Sequence, residues 1–149
     1  IEKVLPFYGI LHTIKSMIAD KKRKILGKEI RENSLLILVG KSEVLRNGDV
    51  YYPFRQDSDF WLLSGLNVPN LKLLGYSENG NTLWILYSDP ISEKEKLWGT
   101  SRLAYEDLRK KSGISEIRSN RRWASDIKKF SEKSEQIFLR ESDQKNIVR

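Results

Sequence analysis

The sequence predicts a mixed α/β fold: a sheet of five or six strands with helices on both faces. Three observations carry this reading. Stretches of helical apolar spacing alternate with short apolar runs along 149 residues, one domain's worth of chain. The run SLLILVG, residues 34–40, is apolar throughout and stops at glycine, the pattern of a strand buried on both faces. LKLLGY and TLWILY flank SENGN, whose Asn79-Gly80 pair suits a two-residue hairpin turn.

The elements follow in chain order. Phe7, Ile10, Leu11, Ile14, Ile18, Ile25 and Leu26 fall at helical spacing, which predicts one or two helices over 6–30. The strand at 34–40 comes next, and a further strand is expected over 50–53. Asp57 and Ser58 can cap a short helix that Gly65 ends. The hairpin over 71–87 follows. Asp89-Pro90 breaks the chain, and an acidic-basic stretch leads to Trp98. Ser101 can cap a helix running to about Lys111, with Gly113 as its stop. ISEIRS reads as a strand. Trp123, Ile127 and Phe130 share one helical face, and QIFLRES is the last strand candidate, after which the pattern thins.

Composition removes several classes of function. There is no cysteine, so disulfides, thiolate chemistry and cysteine zinc sites are excluded, and a cytoplasmic location is expected. No apolar run approaches the length of a membrane span, and no membrane partner is expected. The net charge of +7 collects in 15–32 and 102–149. KKRK, residues 21–24, lies inside a helical pattern without interleaved aromatics, so it reads as a solvated helix face and no nucleic-acid partner is expected. The single histidine, His12, reads as a surface or half-buried helix residue. No nucleophile elbow, phosphate-binding glycine loop or metallopeptidase helix motif is present.

The densest unusual stretch is YPFRQDSDFWLLSG, where Arg55, Asp57 and Asp59 stand among aromatics. Asp49, Asp57 and Asp59 could in principle hold a metal, but Arg46 and Arg55 lie among them, and ion pairs are the better reading. Arg55 is expected to be buried against Asp59 or Asp49, with Tyr52, Phe54, Phe60 and Trp61 packed around it. Its removal would then cost about 3–5 kcal/mol.

The spacing of Arg46, Asp49, Tyr52, Pro53, Arg55, Asp57, Asp59, Phe60 and Gly65 closely resembles the signature of the creatinase/prolidase N-terminal domain, the N-terminal domain of Xaa-Pro aminopeptidases. Ser64 stands where that family usually has threonine. The resemblance implies a ribonuclease-H-like α/β domain over 17–149, preceded by an N-terminal helical extension over 1–16. It implies that this chain holds no catalytic residue and no metal ligand. The peptide-cleaving chemistry belongs to a C-terminal pita-bread domain with two divalent ions, usually manganese, which this chain does not contain. The accessory domain's partners would be that catalytic domain, neighbouring subunits of a homo-oligomer and, through the parent enzyme, the peptide substrate. A family tryptophan with an arginine four residues later borders the substrate entrance. Trp98 and Arg102 keep that spacing, although Gly99 and Lys96 depart from the surrounding pattern; a core position for Trp98 is the alternative. A different function on the same fold is a stand-alone peptide- or protein-interaction module, as in the degenerate relatives that serve as histone chaperones. A ribonuclease-H-type nuclease has the charge in its favour but no acidic constellation.

Overall fold

The computed structural model describes residues 7–100 and 102–147, and the side chains of 16–100 and 102–145; the expectation for His12 lies outside the described side chains. In chain order the elements are α1 (Phe7–Glu29), β1 (Ser34–Val39), β2 (Leu45–Asn47), β3 (Val50–Tyr51), α2 (Ser58–Ser64), β4 (Lys72–Glu78), β5 (Asn81–Tyr87), α3 (Glu93–Trp98), α4 (Tyr105–Ser112), β6 (Glu116–Arg118), a 3-10 turn (Asn120–Arg122), α5 (Trp123–Lys133), β7 (Gln136–Leu139) and α6 (Glu141–Ile147).

The main sheet has five strands in the order β6-β5-β4-β1-β7. β1 runs antiparallel to β4 and parallel to β7, β4 and β5 form the antiparallel hairpin, and β6 joins β5 in parallel. Because successive strand residues point to opposite faces, β1 feeds two cores at once. Leu38, with Leu73, Leu86 and Ile117, meets Phe60 and Leu63 of α2 and Leu108 of α4. Leu35 and Ile37, with Leu74, Ile85 and Tyr87, meet Trp123 and Phe130 of α5. Helices therefore cover both faces, and the unbroken apolar run of β1 is the consequence of that double burial.

Turn chemistry explains the boundaries. Asn79 and Gly80 both have positive φ, 55° and 76°, between the paired residues Glu78 and Asn81, the twist a tight hairpin needs. Gly65 (φ 72°) and Gly113 (φ 75°) end α2 and α4 in the left-handed region. The helix expected after Ser101 starts later, at Tyr105.

Several elements differ from the sequence expectation: β2 is not among the expected strands, the last strand stops at Leu139, and α6 follows it from Glu141. The segment expected as a sixth strand over 50–53 pairs only with β2, forming a separate two-stranded ribbon. Pro53 has no N–H to continue a ladder, and every residue of β2 and β3 is exposed, so no apolar face draws the ribbon onto the sheet. The stretch before Trp98 forms α3, held by a capping box: Ser92 Oγ accepts from Glu95 N (3.2 Å), while Glu95 accepts from Ser92 N (2.9 Å).

Behind β5, a polar network anchors α5. Tyr87 Oη and Arg118 Nη1 both donate to Asp126 Oδ2 at 2.8 Å, and Tyr87 and Asp126 are buried. Burial opposes the charge on Asp126, but the Arg118 guanidinium and the Tyr87 hydroxyl outweigh it and hold the carboxyl below its ordinary pKa. Asp126→Ala is expected to cost about 1–3 kcal/mol, since it leaves the buried Tyr87 hydroxyl without its acceptor while Arg118 keeps Glu116. A carboxyl depressed in the folded state contributes stability above its unfolded pKa of about 3.9, and that contribution disappears as pH falls through the folded value. Thermal melts from neutral pH to about pH 2 should therefore show a shallower acid loss in Asp126→Asn than in the parent chain; parallel curves would contradict the assignment.

Candidate functional site

The signature segment leaves β1 through Gly40 and crosses the end of the sheet to α2. Gly40 has no room for a side chain, since a Cβ there would lie 2.7 Å from Leu71 O and 2.9 Å from Gln56 Nε2. Gln56, 4% exposed, occupies that space. Its Oε1 accepts from Lys41 N and Asp57 N (both 2.9 Å), and its Nε2 donates to Val68 O (3.0 Å). Its backbone N donates to Asn67 Oδ1 at 2.8 Å. A single buried amide thus satisfies backbone groups on both sides of the loop, where unpaired polar atoms would each cost about 1–3 kcal/mol.

Asp57 is the structural carboxylate of the segment. It stands at the N-cap of α2 without bonding the helix; its oxygens take Lys41 Nζ and Arg140 Nη1, each at 3.1 Å. Partial burial works against the charge on Asp57, yet hydrogen bonds from these two cations bring its pKa below the usual value. Arg140, just after β7, uses all of its guanidinium. Nε and Nη2 bind Asp143 at 2.8 and 3.0 Å, Nη2 also donates to Val39 O at 2.7 Å, and Nη1 reaches Asp57. The end of β1, the end of β7, α6 and the signature loop therefore meet at one cation.

This corrects the expected Arg55 tie. Arg55, Asp59, Asp49 and Arg46 are all exposed, and among the described residues no ion pair involves any of them. Phe60 is fully buried, but Tyr52 and Trp61 are 52% and 46% exposed, so no aromatic shell surrounds Arg55. Arg46 lies over the Tyr52 ring, 6.0 Å from its centroid, Pro53 is exposed, and Gly65 ends α2. The physical reason is that α2 turns Phe60 and Leu63 inward to the core, which leaves Arg55 and Asp59 facing solvent.

Trp98 and Arg102 stand apart from this cluster. Leu97 and Trp98 project from α3 at 81% and 78% exposure, so Trp98 is not a core residue. Arg102 pairs with Glu95, whose carboxyl is pulled down to about 2 by the Ser92 N–H, the Ser92 hydroxyl and the Arg102 guanidinium. The arginine thus braces the helix that presents the tryptophan.

Sequence reasoning missed Arg23. It was read as part of a solvated face, yet it is 3% exposed and donates to Leu63 O (2.7 Å) and Ser112 O (2.8 Å). These carbonyls belong to the last turns of α2 and α4, where unpaired oxygens and the negative dipole end favour a cation. Burial lowers its pKa, with Asp20 opposing. The available signal was spacing: Ala19, Arg23 and Leu26 share one helical stripe. Among the described residues no cluster of three or more His, Cys, Asp or Glu side chains could hold a metal ion, and no helix is long and apolar enough to cross a membrane.

Arg140→Ala should cost about 3–5 kcal/mol because it leaves the buried Asp143 without its partner, whereas Arg55→Ala should stay within about 0.5 kcal/mol. Denaturant or thermal melts of the two variants beside the parent chain check this, and a reversed order would return Arg55 to the role of tie.

The fold and the segment both have known counterparts. The family described as "Aminopeptidase P, N-terminal domain" matches residues 19–138. A Xaa-Pro aminopeptidase of Haemophilus influenzae is 32% identical over 111 residues, 74% of this chain and 26% of that protein. The Escherichia coli Xaa-Pro aminopeptidase is 28% identical over 96 residues, 64% of this chain and 22% of that protein. The chain thus spans about a quarter of the length of these curated relatives. Among solved structures, a histidine-to-alanine variant of E. coli aminopeptidase P superposes with TM-score 0.79 at 20% identity, covering 89% of this chain and 31% of that one. Proline aminopeptidase P II from Yersinia pestis gives 0.77 at 22% identity over the same shares. With a family match that runs from within α1 through the whole signature and into β7, this chain belongs to the aminopeptidase P N-terminal domain family.

Proposed function

We propose that this chain is the non-catalytic N-terminal domain of a metal-dependent Xaa-Pro aminopeptidase, where it serves subunit association and controls access to the active site. The observation that carries the reading is α3. A capping box and the Glu95–Arg102 pair fix this helix, and it holds two large apolar side chains, Leu97 and Trp98, almost fully in solvent. A rigid apolar projection on a soluble surface marks a contact site, and its place in the chain is that of the family's entrance tryptophan. In this reading Trp98 faces the peptide entrance of a neighbouring subunit, and Arg102 acts as its positioning residue.

Among the described residues the donor set does not suit a two-metal centre, because no His, Asp or Glu side chains converge there and Asp57, Asp126 and Asp143 are taken by arginines or lysines. The two divalent ions, manganese in this reading, and the scission of the bond before proline belong to the catalytic domain of a cytoplasmic homo-oligomer.

Two measurements bear on this. The chain alone, supplied with Mn²⁺, should release no amino acid from Xaa-Pro peptides, and calorimetry should find no stoichiometric Mn²⁺ or Zn²⁺ binding. In a peptidase carrying this domain, Trp98→Ala should reduce kcat/KM for peptides by about tenfold, roughly 1.4 kcal/mol of transition-state stabilisation, with melting unchanged. Activity in the isolated chain, or an unaltered kcat/KM in the variant, would overturn the corresponding half of the proposal.

A further inference from the structure

The fold accounts for part of the signature and leaves Arg55, like Asp49 and Asp59, exposed and without an ion pair among the described residues. Gln56 and Asp57 are consumed by the loop, Phe60 and Leu63 by the core, and Ser64 by its bond to Leu66 N at 3.1 Å. Arg55 has no structural work in the fold. It stands in solvent at a cleft of about 290 Å³ lined also by Gln56, Ser58, Trp61 and Asn67.

The polarity of that lining is one-sided. The acceptor oxygen of Asn67 is taken by Gln56 N, and Gln56 Oε1 is taken by Lys41 N and Asp57 N. The groups that remain include the Arg55 guanidinium, the Asn67 amino group and the Ser58 hydroxyl, none with a partner among the described residues. No carboxylate lines the cleft, and the nearest acid in sequence, Asp57, is already held by Lys41 and Arg140. A donor-rich, positively charged cleft with no acid of its own selects an anion, and a planar guanidinium favours a carboxylate through paired hydrogen bonds. Trp61, 46% exposed, supplies an apolar wall beside those donors. An inorganic ion has no apolar part to lie on the exposed portion of Trp61, whereas a peptide does.

We infer that this cleft binds a carboxylate side chain of an acidic peptide segment, with Arg55 as the anchoring cation and Trp61 packing the neighbouring residue. The inference does not depend on the peptidase reading, since it concerns a surface remote in sequence from Trp98. One exposed charge-assisted contact with a small apolar wall corresponds to half-saturation on the order of 1–10 mM.

The test is a nitrogen-15 NMR titration of the chain with acetyl-Glu-Leu-amide, its neutral control acetyl-Gln-Leu-amide, and sodium acetate at matched ionic strength. The glutamyl peptide should shift the Trp61 indole, Ser58 and Asn67 resonances saturably, at least about tenfold more tightly than either control. Arg55→Ala should abolish the shifts while its melting temperature stays at the parent value, and Arg55→Lys should restore them in part. Absence of saturation by the glutamyl peptide at about 50 mM, equal response to the glutaminyl peptide, or persistence of the shifts in Arg55→Ala would each overturn the site. Acetate binding as tightly as the glutamyl peptide would overturn the peptide assignment.

Discussion

The arrangement of this domain depends on the Arg140 guanidinium. Strand ends are where a sheet exposes unpaired backbone, and here the ends of β1 and β7 lie side by side in a parallel pair. Arg140, the residue after β7, bonds Val39 O at the end of β1 and Asp143 of α6, and it also draws in the signature loop through Asp57. Asp143 Oδ2 in turn accepts from Val39 N at 3.3 Å. The chain can therefore leave the sheet at Gly40, cross its edge and start α2 at a fixed angle.

A second cation performs the corresponding task for the helical layer. α2 and α4 are each only about two turns long and end in left-handed glycines, so their terminal carbonyls converge on α1 without helical partners. Arg23 answers two of them with one side chain. The layer is thus organised around a buried charge whose counter-groups are mostly backbone dipoles. Such a site tolerates lysine poorly, because a single ammonium cannot match two divergent carbonyls with the geometry of a guanidinium.

What the interior does not use is left on the surface as a coherent set. The β2–β3 ribbon, α3 and the outward side of α2 present Leu45, Tyr51, Trp61, Leu97 and Trp98, each close to half exposed or more. Of these elements, α3 is held by its capping box and the Glu95–Arg102 pair, and α2 by Phe60 and Leu63 in the core.

Periodicity and turn chemistry determined the elements. Double burial made β1 an unbroken apolar run, Asn79-Gly80 set the hairpin, and Gly65 and Gly113 ended their helices, all through local forces that act within a few residues. The capping box of α3, Ser92 with Glu95, is equally local, although the sequence expectation does not include it. The charges were not legible in the sequence. Spacing favoured Arg55 with Asp59, because proximity in sequence is the only pairing a sequence displays. The folded chain instead brings Asp57 to Arg140 across 83 residues and Arg23 to Ser112 across 89. Which arginine is buried is decided by where strand ends and helix ends converge in space. That convergence exists only once the sheet order β6-β5-β4-β1-β7 has formed.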